Sequence, residues 1–190
     1  MDFKKLADLL YKDTHTTPEY YYDKFPKRNL APGAEVTRIG PSPTGYLHTG
    51  HLFGAMIDKF VADKSNGIYY FRLEDTDQVR KINEAGDIAY QMLCKFNTAP
   101  QEGYMGDAKP EVGDYGSYVQ SKRLDIYDAF AKRLVELGRA FPCFCAQNTG
   151  KDSVKERREK QLQELGEIVD HDPCRNLDIA DIELNIKMGK

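Results

Sequence analysis

Past Gly50, apolar residues fall three and four apart: Leu52, Phe53, Met56, Ile57, Phe60 and Val61. That spacing predicts an amphipathic helix with one apolar face. Asn66-Gly67 ends it, with Gly67 expected in the left-handed cap. Ahead of the helix, AEVTRIG (34–40) predicts a short strand. PSPTG (41–45) predicts a rigid turn, because two prolines remove backbone donors. Beyond the helix, IYYFRLE (68–74) is rich in strand formers, and EDTD opens a loop at its carboxyl end. A second helix is predicted over 81–96, with Ile82, Ala85, Ile88, Ala89, Met92, Leu93 and Phe96 inward and Cys94 in the core. Strand, helix, strand, helix in this order implies a parallel α/β sheet.

Flanking segments are less regular. In residues 1–33, Phe3, Leu6, Leu9 and Leu10 sit at helical spacing. Thr17-Pro18-Glu19 reads as a helix start, with Tyr20, Tyr21 and Tyr22 packing against the body. Residues 99–120 carry many Gly, Asp and Pro and predict a long loop. A third helix is expected from Ser121, its cap, to Gly138, with Leu124, Tyr127, Phe130, Leu134 and Leu137 buried. AFPCFC (140–145) predicts a short strand, 151–166 a very polar helix, and 177–189 a last helix. The chain divides on this reading into a helical extension (1–33), a nucleotide-binding half-domain (34–139) and the start of an insertion (140–190).

Composition narrows the function class. Lys plus Arg number 27 against 30 Asp plus Glu, a formal charge of -3, which excludes a strongly basic nucleic-acid coat. Four cysteines in 190 residues are too few for a disulfide scaffold, so a reducing cytoplasm is the default. No apolar run approaches the roughly 18 residues that a spanning helix needs, and the amino terminus lacks the pattern of a secretory signal.

Chemistry concentrates in RIGPSPTGYLHTGH, from Arg38 to His51. A strand there ends in a proline loop that delivers His48 and His51 to a helix amino terminus. Unpaired N–H groups and the helix dipole attract phosphate at such an end. Gly50 lets a phosphate or base approach the backbone. Two imidazoles can donate hydrogen bonds to oxygens that gain charge in a transition state. The ordinary structural reading is that the histidines only cap the helix and that PSPTG is only a turn.

The run from Arg38 to His51 resembles the first signature of the class I aminoacyl-tRNA synthetases, in the form used by glutamyl-tRNA synthetases. Arg72-Leu73-Glu74-Asp75-Thr76-Asp77 resembles that family's next strand end. The stretch from Pro110 to Cys145 is similar to its glycine-rich loop, its QS-R helix and the start of its acceptor-binding insertion. Cys174-Arg175-Asn176-Leu177 resembles a later part of that insertion. The resemblance implies a Rossmann-like fold and ATP-dependent activation of L-glutamate, with Mg2+, followed by transfer to tRNA(Glu) in the cytoplasm. It implies that His48 and His51 face the phosphates and that Gly50 lies under the nucleotide. It further implies that Arg38 and Ser42 contact the amino acid and that Glu74 binds its ammonium. PSPTG favours a glutamyl over a glutaminyl enzyme, whereas His51 also fits glutaminyl and glutamyl-queuosine synthetases. An ATP-binding module without catalysis is the alternative from another class.

Three further expectations follow. The family's second signature, K-M-S-K-S, is not present, and Lys187-Met188-Gly189-Lys190 reads as a helix end, not as that signature. The chain is therefore expected to be a piece of a longer synthetase, to need the remainder of that chain as its partner, and not to aminoacylate alone. Cys143, Cys145 and Cys174 resemble a zinc site of some members, with Asn176 where a histidine usually stands and His171 as a substitute. Reduced structural cysteines are the favoured reading over zinc. Lys151, Lys155, Arg157, Arg158 and Lys160 read as a solvated helix face, or, through the resemblance, as contacts to tRNA phosphates.

Overall fold

A computed structural model describes residues 1–145, 154–167 and 173–189. The chain forms two compact units: Thr16–Tyr127, and Met1–His15 together with Asp128–Lys190. These boundaries fall elsewhere than the three-part division expected above.

In Thr16–Tyr127, strand β1 (Val36–Ile39) pairs in parallel with β2 (Ile68–Phe71), which pairs in parallel with β3 (Glu102–Gly103). Val36 stands opposite Ile68 and Ile39 opposite Phe71. Helix α3 (Thr49–Lys64) connects the first two strands and α4 (Ala85–Lys95) the second pair. This is the parallel α/β arrangement expected from the strand–helix order. The core is Ile39, Tyr69, Phe71, Leu73 and Leu93, closed by Ala55, Ala62 and Ala89 on the helices and by Tyr104 and Tyr118.

Side-chain faces depart from the sequence reading. On α3 the buried residues are Ala55 and Ala62, while Phe53, Met56, Ile57 and Phe60 are exposed. Small residues let the helix lie close on the strands, where Thr37 Oγ1 donates to the Asp58 carbonyl at 2.7 Å. Asn66, at φ 54°, takes the left-handed position expected of Gly67. Gly67 is instead required because a Cβ there would collide with the Glu35 carbonyl. On α4, Phe96 and Cys94 are exposed.

The stretch expected to be one long loop holds β3. Gly103 bridges Val112, and Leu73 bridges Val119. Gln120–Arg123 forms a 3-10 turn before α5 (Leu124–Glu136), and Leu124, Leu134 and Leu137 are exposed. Ser121 does not cap α5; its N–H and hydroxyl bond Asp75 at 2.9 and 2.8 Å.

The chain before β1 is tied to this body. Thr17 caps α2 (Pro18–Lys24), and Tyr21 is buried while Tyr20 and Tyr22 are exposed. Arg28 grips the carboxylate of Glu102 with both arms of its fork, at 2.7 and 2.5 Å, and lies 3.8 Å from the Tyr115 ring centre. Tyr115 donates to the Pro26 carbonyl at 2.8 Å. Burial pushes the Glu102 carboxyl up, but the bonds from Arg28 and Tyr118 outweigh it and hold it below its ordinary value.

In the second unit, α1 (Phe3–Leu10) buries Leu6 and Ala7 against Val135 of α5 and Ile182 of α7 (Ile179–Lys187). Lys132 bonds Asp8 at 2.8 Å and the Thr14 carbonyl at 3.4 Å. Residues 141–145 form no strand; Pro142 has no donor for a ladder. Helix α6 (Val154–Leu165) exposes Arg158 and Lys160. No helix among the described residues is long and apolar enough to cross a membrane.

Breaking a buried ion pair from one side leaves an unpaired charge. Arg28→Gln is expected to cost about 3 kcal/mol of unfolding free energy at pH 7 in a denaturant titration. Because folding lowers the Glu102 carboxyl, its contribution is full above the unfolded value near 4.3 and is lost as pH falls through the folded value. The deficit of the variant should therefore shrink as pH falls below that unfolded value. A deficit that does not change with pH contradicts the ion pair.

Candidate functional site

Parallel strands deliver their carboxyl ends to one edge, so the loops after β1 and β2 meet there. The Glu74 N–H donates to the Pro41 carbonyl at 3.0 Å, and the Ile82 N–H to the Pro43 carbonyl at 2.8 Å. The proline loop is thus clamped from both sides, and Ser42 lies exposed between the clamped prolines.

Arg38, on β1, and Glu74, in the loop after β2, form an ion pair with each other. Glu74 Oε1 also accepts from Arg72 Nη2 at 2.9 Å. One carboxylate oxygen is shared by two guanidinium groups. Gly40 lies against this pair, and a Cβ there would collide with both partners. The Arg38 and Glu74 side chains keep 37% and 28% of their surface exposed, so the pair remains open to an incoming ligand.

His48 is the cap residue of α3, in extended conformation. Its Nδ1 accepts from the Gly50 N–H at 3.1 Å, and His51 Nδ1 accepts from the His48 N–H at 3.3 Å. An accepting Nδ1 carries no proton, so each neutral ring keeps its proton on Nε2. The ring centres are 4.0 Å apart. Burial, and then the neighbouring His48, push the His51 imidazole below its ordinary value. The cap and the phosphate-facing reading are therefore compatible. Capping consumes the inner nitrogens and fixes the outer N–H groups as donors beside Gly50, which is exposed. A Cβ on Gly50 would press on the His48 ring at 3.0 Å.

Asp75 was not singled out in the sequence, yet it is 2% exposed. Burial raises its carboxyl, but the two bonds from Ser121 and the charge of Lys81 bring it below its usual value. It ties the strand end carrying Glu74 to the 3-10 turn. The repeated acids of EDTD were the available signal, but nothing in that run says which one is buried.

In the other unit, the sulfurs of Cys143, Cys145 and Cys174 all lie within 4.8 Å of one another, with 3.5 Å between Cys145 and Cys174. Burial pushes the Cys174 thiol up to about 11. His171, the expected fourth ligand, lies outside the described residues.

The family of class I tRNA synthetases for E and Q, catalytic domain, matches residues 35–183. The chain belongs to this family. The glutamate–tRNA ligase of Acetivibrio thermocellus is 47% identical over 165 residues, 86% of this chain and 29% of that protein. The glutamate–tRNA ligase of Clostridium perfringens strain 13 is 42% identical over 164 residues, again 86% of this chain and 29% of the relative. The chain thus spans just under a third of the length of these relatives. Among solved structures, a glutamate tRNA ligase from Elizabethkingia meningosepticum in complex with its amino acid superposes with a TM-score of 0.61. Its identity is 23%, over 82% of this chain and 31% of that one. At that identity the likeness establishes the fold, and it agrees with the Rossmann-like catalytic half expected from the motifs.

Proposed function

We propose that these residues form the amino-acid and phosphate side of a glutamate-activating site, in a cytoplasmic synthetase that joins glutamate to tRNA at the expense of ATP. The observation that carries this reading is the open Arg38–Glu74 ion pair, set at the same strand edge as the histidine-capped start of α3. The names of the curated relatives support it.

The pair suits an amino acid that carries both charges. Free glutamate brings an ammonium for Glu74 and a side-chain carboxylate for Arg38, so one internal ion pair is exchanged for two to the ligand. Arg72 keeps Glu74 partnered when Arg38 turns to the substrate. Glutamine offers no charge to the Arg38 fork, which disfavours it. Ser42, in the clamped proline loop, supplies a hydroxyl beside the same ligand. An oxygen of the substrate's α-carboxylate then attacks the α-phosphorus of ATP, the bond to the bridging oxygen breaks, and pyrophosphate leaves. The Nε2–H groups of His48 and His51 donate to phosphate oxygens, and Gly50 leaves room for the nucleotide. Mg2+ carried with ATP supplies charge neutralisation at the phosphates. A ribose hydroxyl at the tRNA 3′ end next attacks the acyl carbon of the adenylate, and AMP leaves.

The thiol cluster is read as a structural zinc site, reversing the preference drawn from sequence. Tetrahedral Zn–S bonds of 2.3 Å imply sulfurs about 3.8 Å apart, within the range seen here. Zinc would hold the thiols as thiolates and fix residues 143–145 to residue 174.

The test of function is ATP–pyrophosphate exchange with L-glutamate and tRNA, by this chain alone and after grafting it into the Acetivibrio thermocellus ligase in place of the matching segment. The graft should exchange, with a loss of about 100-fold or more on His48→Ala, while the chain alone should not. A folded graft that activates no glutamate contradicts the proposal. Metal analysis of purified protein should find one zinc per chain, lost in Cys174→Ser. A zinc-free chain with three reduced thiols would return the cluster to a packing role.

A further inference from the structure

Asp75 is a buried acid that the proposed reaction leaves unused. Its neighbour Glu74 stands three residues past the end of β2. Backbone bonds hold the chain up to that point. The Leu73 N–H donates to the Tyr118 carbonyl and the Gln120 N–H to the Leu73 carbonyl, both at 2.9 Å. On the other side the Glu74 N–H donates to the Pro41 carbonyl at 3.0 Å. The next hold along the chain is a side chain.

Asp75 supplies it with both carboxylate oxygens. Oδ1 accepts from the Ser121 N–H at 2.9 Å, and Oδ2 from the Ser121 hydroxyl at 2.8 Å. Gln78 Nε2 and Lys81 Nζ stand 3.4 and 3.5 Å from Oδ2. Successive side chains of an extended chain point to opposite faces. Leu73 and Asp75 are 5% and 2% exposed, whereas the Glu74 side chain keeps 28% of its surface. Fastening residue 75 inward therefore turns residue 74 outward.

A leucine at 75 could fill the same interior without a charge to desolvate. Apolar contact has no direction, however. A buried carboxylate is costly unless donors meet it at good geometry, and those donors fix its angle. The two bonds from Ser121 thereby fix the roll of the chain at the residue next to Glu74. Glu74 needs that control, because its Oε1 already serves both Arg38 and Arg72. Its carboxylate has to keep one orientation to take a further cation.

We infer that Asp75 and Ser121 are positioning residues for amino-acid binding, their hydrogen bonds aiming the Glu74 carboxylate at the ammonium of the substrate. Neither residue touches the substrate. The inference rests on the proposed role of Glu74.

The test measures glutamate activation, as tRNA-supported pyrophosphate exchange, by the ligase carrying the grafted segment. The variants are Ser121→Ala, Ser121→Thr, Glu74→Gln and the combination of Ser121→Ala with Glu74→Gln. Ser121→Ala keeps the N–H bond to Asp75 and loses only the hydroxyl. It should raise KM for glutamate about tenfold and leave KM for ATP and kcat within about threefold. Ser121→Thr, which keeps a hydroxyl, should restore KM. In the Glu74→Gln background, Ser121→Ala should add no further loss, because its effect passes through Glu74. Glu74→Gln alone separates the two claims. If it leaves KM for glutamate unchanged, the role of Glu74 fails and the inference falls with it. If it raises KM and Ser121→Ala does not, only the positioning role fails. A full additional loss in the combined variant, or an equal rise in KM for ATP, would make these bonds a general support of the fold and overturn the inference. Should Ser121→Ala not fold, Ser121→Cys, which puts a weak donor in place of the hydroxyl, is held to the same outcomes.

Discussion

The register that places Arg38 opposite Tyr70 sets where the charged groups of this sheet can go. Both strands run the same way, so their carboxyl ends emerge together, and the proline loop after β1 meets the acidic loop after β2. Two backbone hydrogen bonds, from Glu74 to Pro41 and from Ile82 to Pro43, lock the loops to each other. Once they are locked, a residue of β1 and a residue three past the end of β2 have little choice but to face one another. Arg38 and Glu74 are those residues. A one-residue slip would send their side chains to opposite faces and put Arg38 among the apolar contacts of α3.

The acids of this unit follow a common scheme. Glu74 sits between two guanidinium groups, Glu102 takes the fork of Arg28, and Asp75 takes two bonds from Ser121 with Lys81 nearby. Glu102 and Asp75 are the buried pair and serve structure: one fastens the chain before β1, the other fastens the 3-10 turn. Glu74 keeps part of its surface in solvent, and so its partners can be exchanged. Burial separates these two structural carboxylates from Glu74, the one proposed to meet the ligand.

The strand–helix–strand framework was legible because its signals are local. IYYF is dense in strand formers, and the prolines and histidines mark a turn and a helix start. The third strand was not, since Glu102-Gly103 has no β-branched residue and depends on Arg28, 74 positions away in the chain. The inward face of α3 was misjudged because two stripes compete at helical spacing. Bulk favoured Phe53, Met56, Ile57 and Phe60, but close approach to the sheet selected Ala55 and Ala62. The histidines and their capping of the helix were legible, but not which of their nitrogens the cap leaves bearing hydrogen. The pairing of Arg38 with Glu74 and the closeness of the three thiols depend on contacts far apart in sequence; the family resemblance placed Arg38 and Glu74 at one substrate and the three cysteines at one site, but did not foresee the ion pair.

The central claim is that Arg38 reads a carboxylate on the substrate. Equilibrium binding of L-glutamate and L-glutamine to the grafted ligase, with Arg38 intact and as Arg38→Gln, tests it most directly. The account predicts that the substitution weakens glutamate about 100-fold and glutamine by only a fewfold, since glutamine never used the charge. An equal loss for both amino acids would contradict it, and would make Arg38 a support for Glu74 instead of a reader of the ligand.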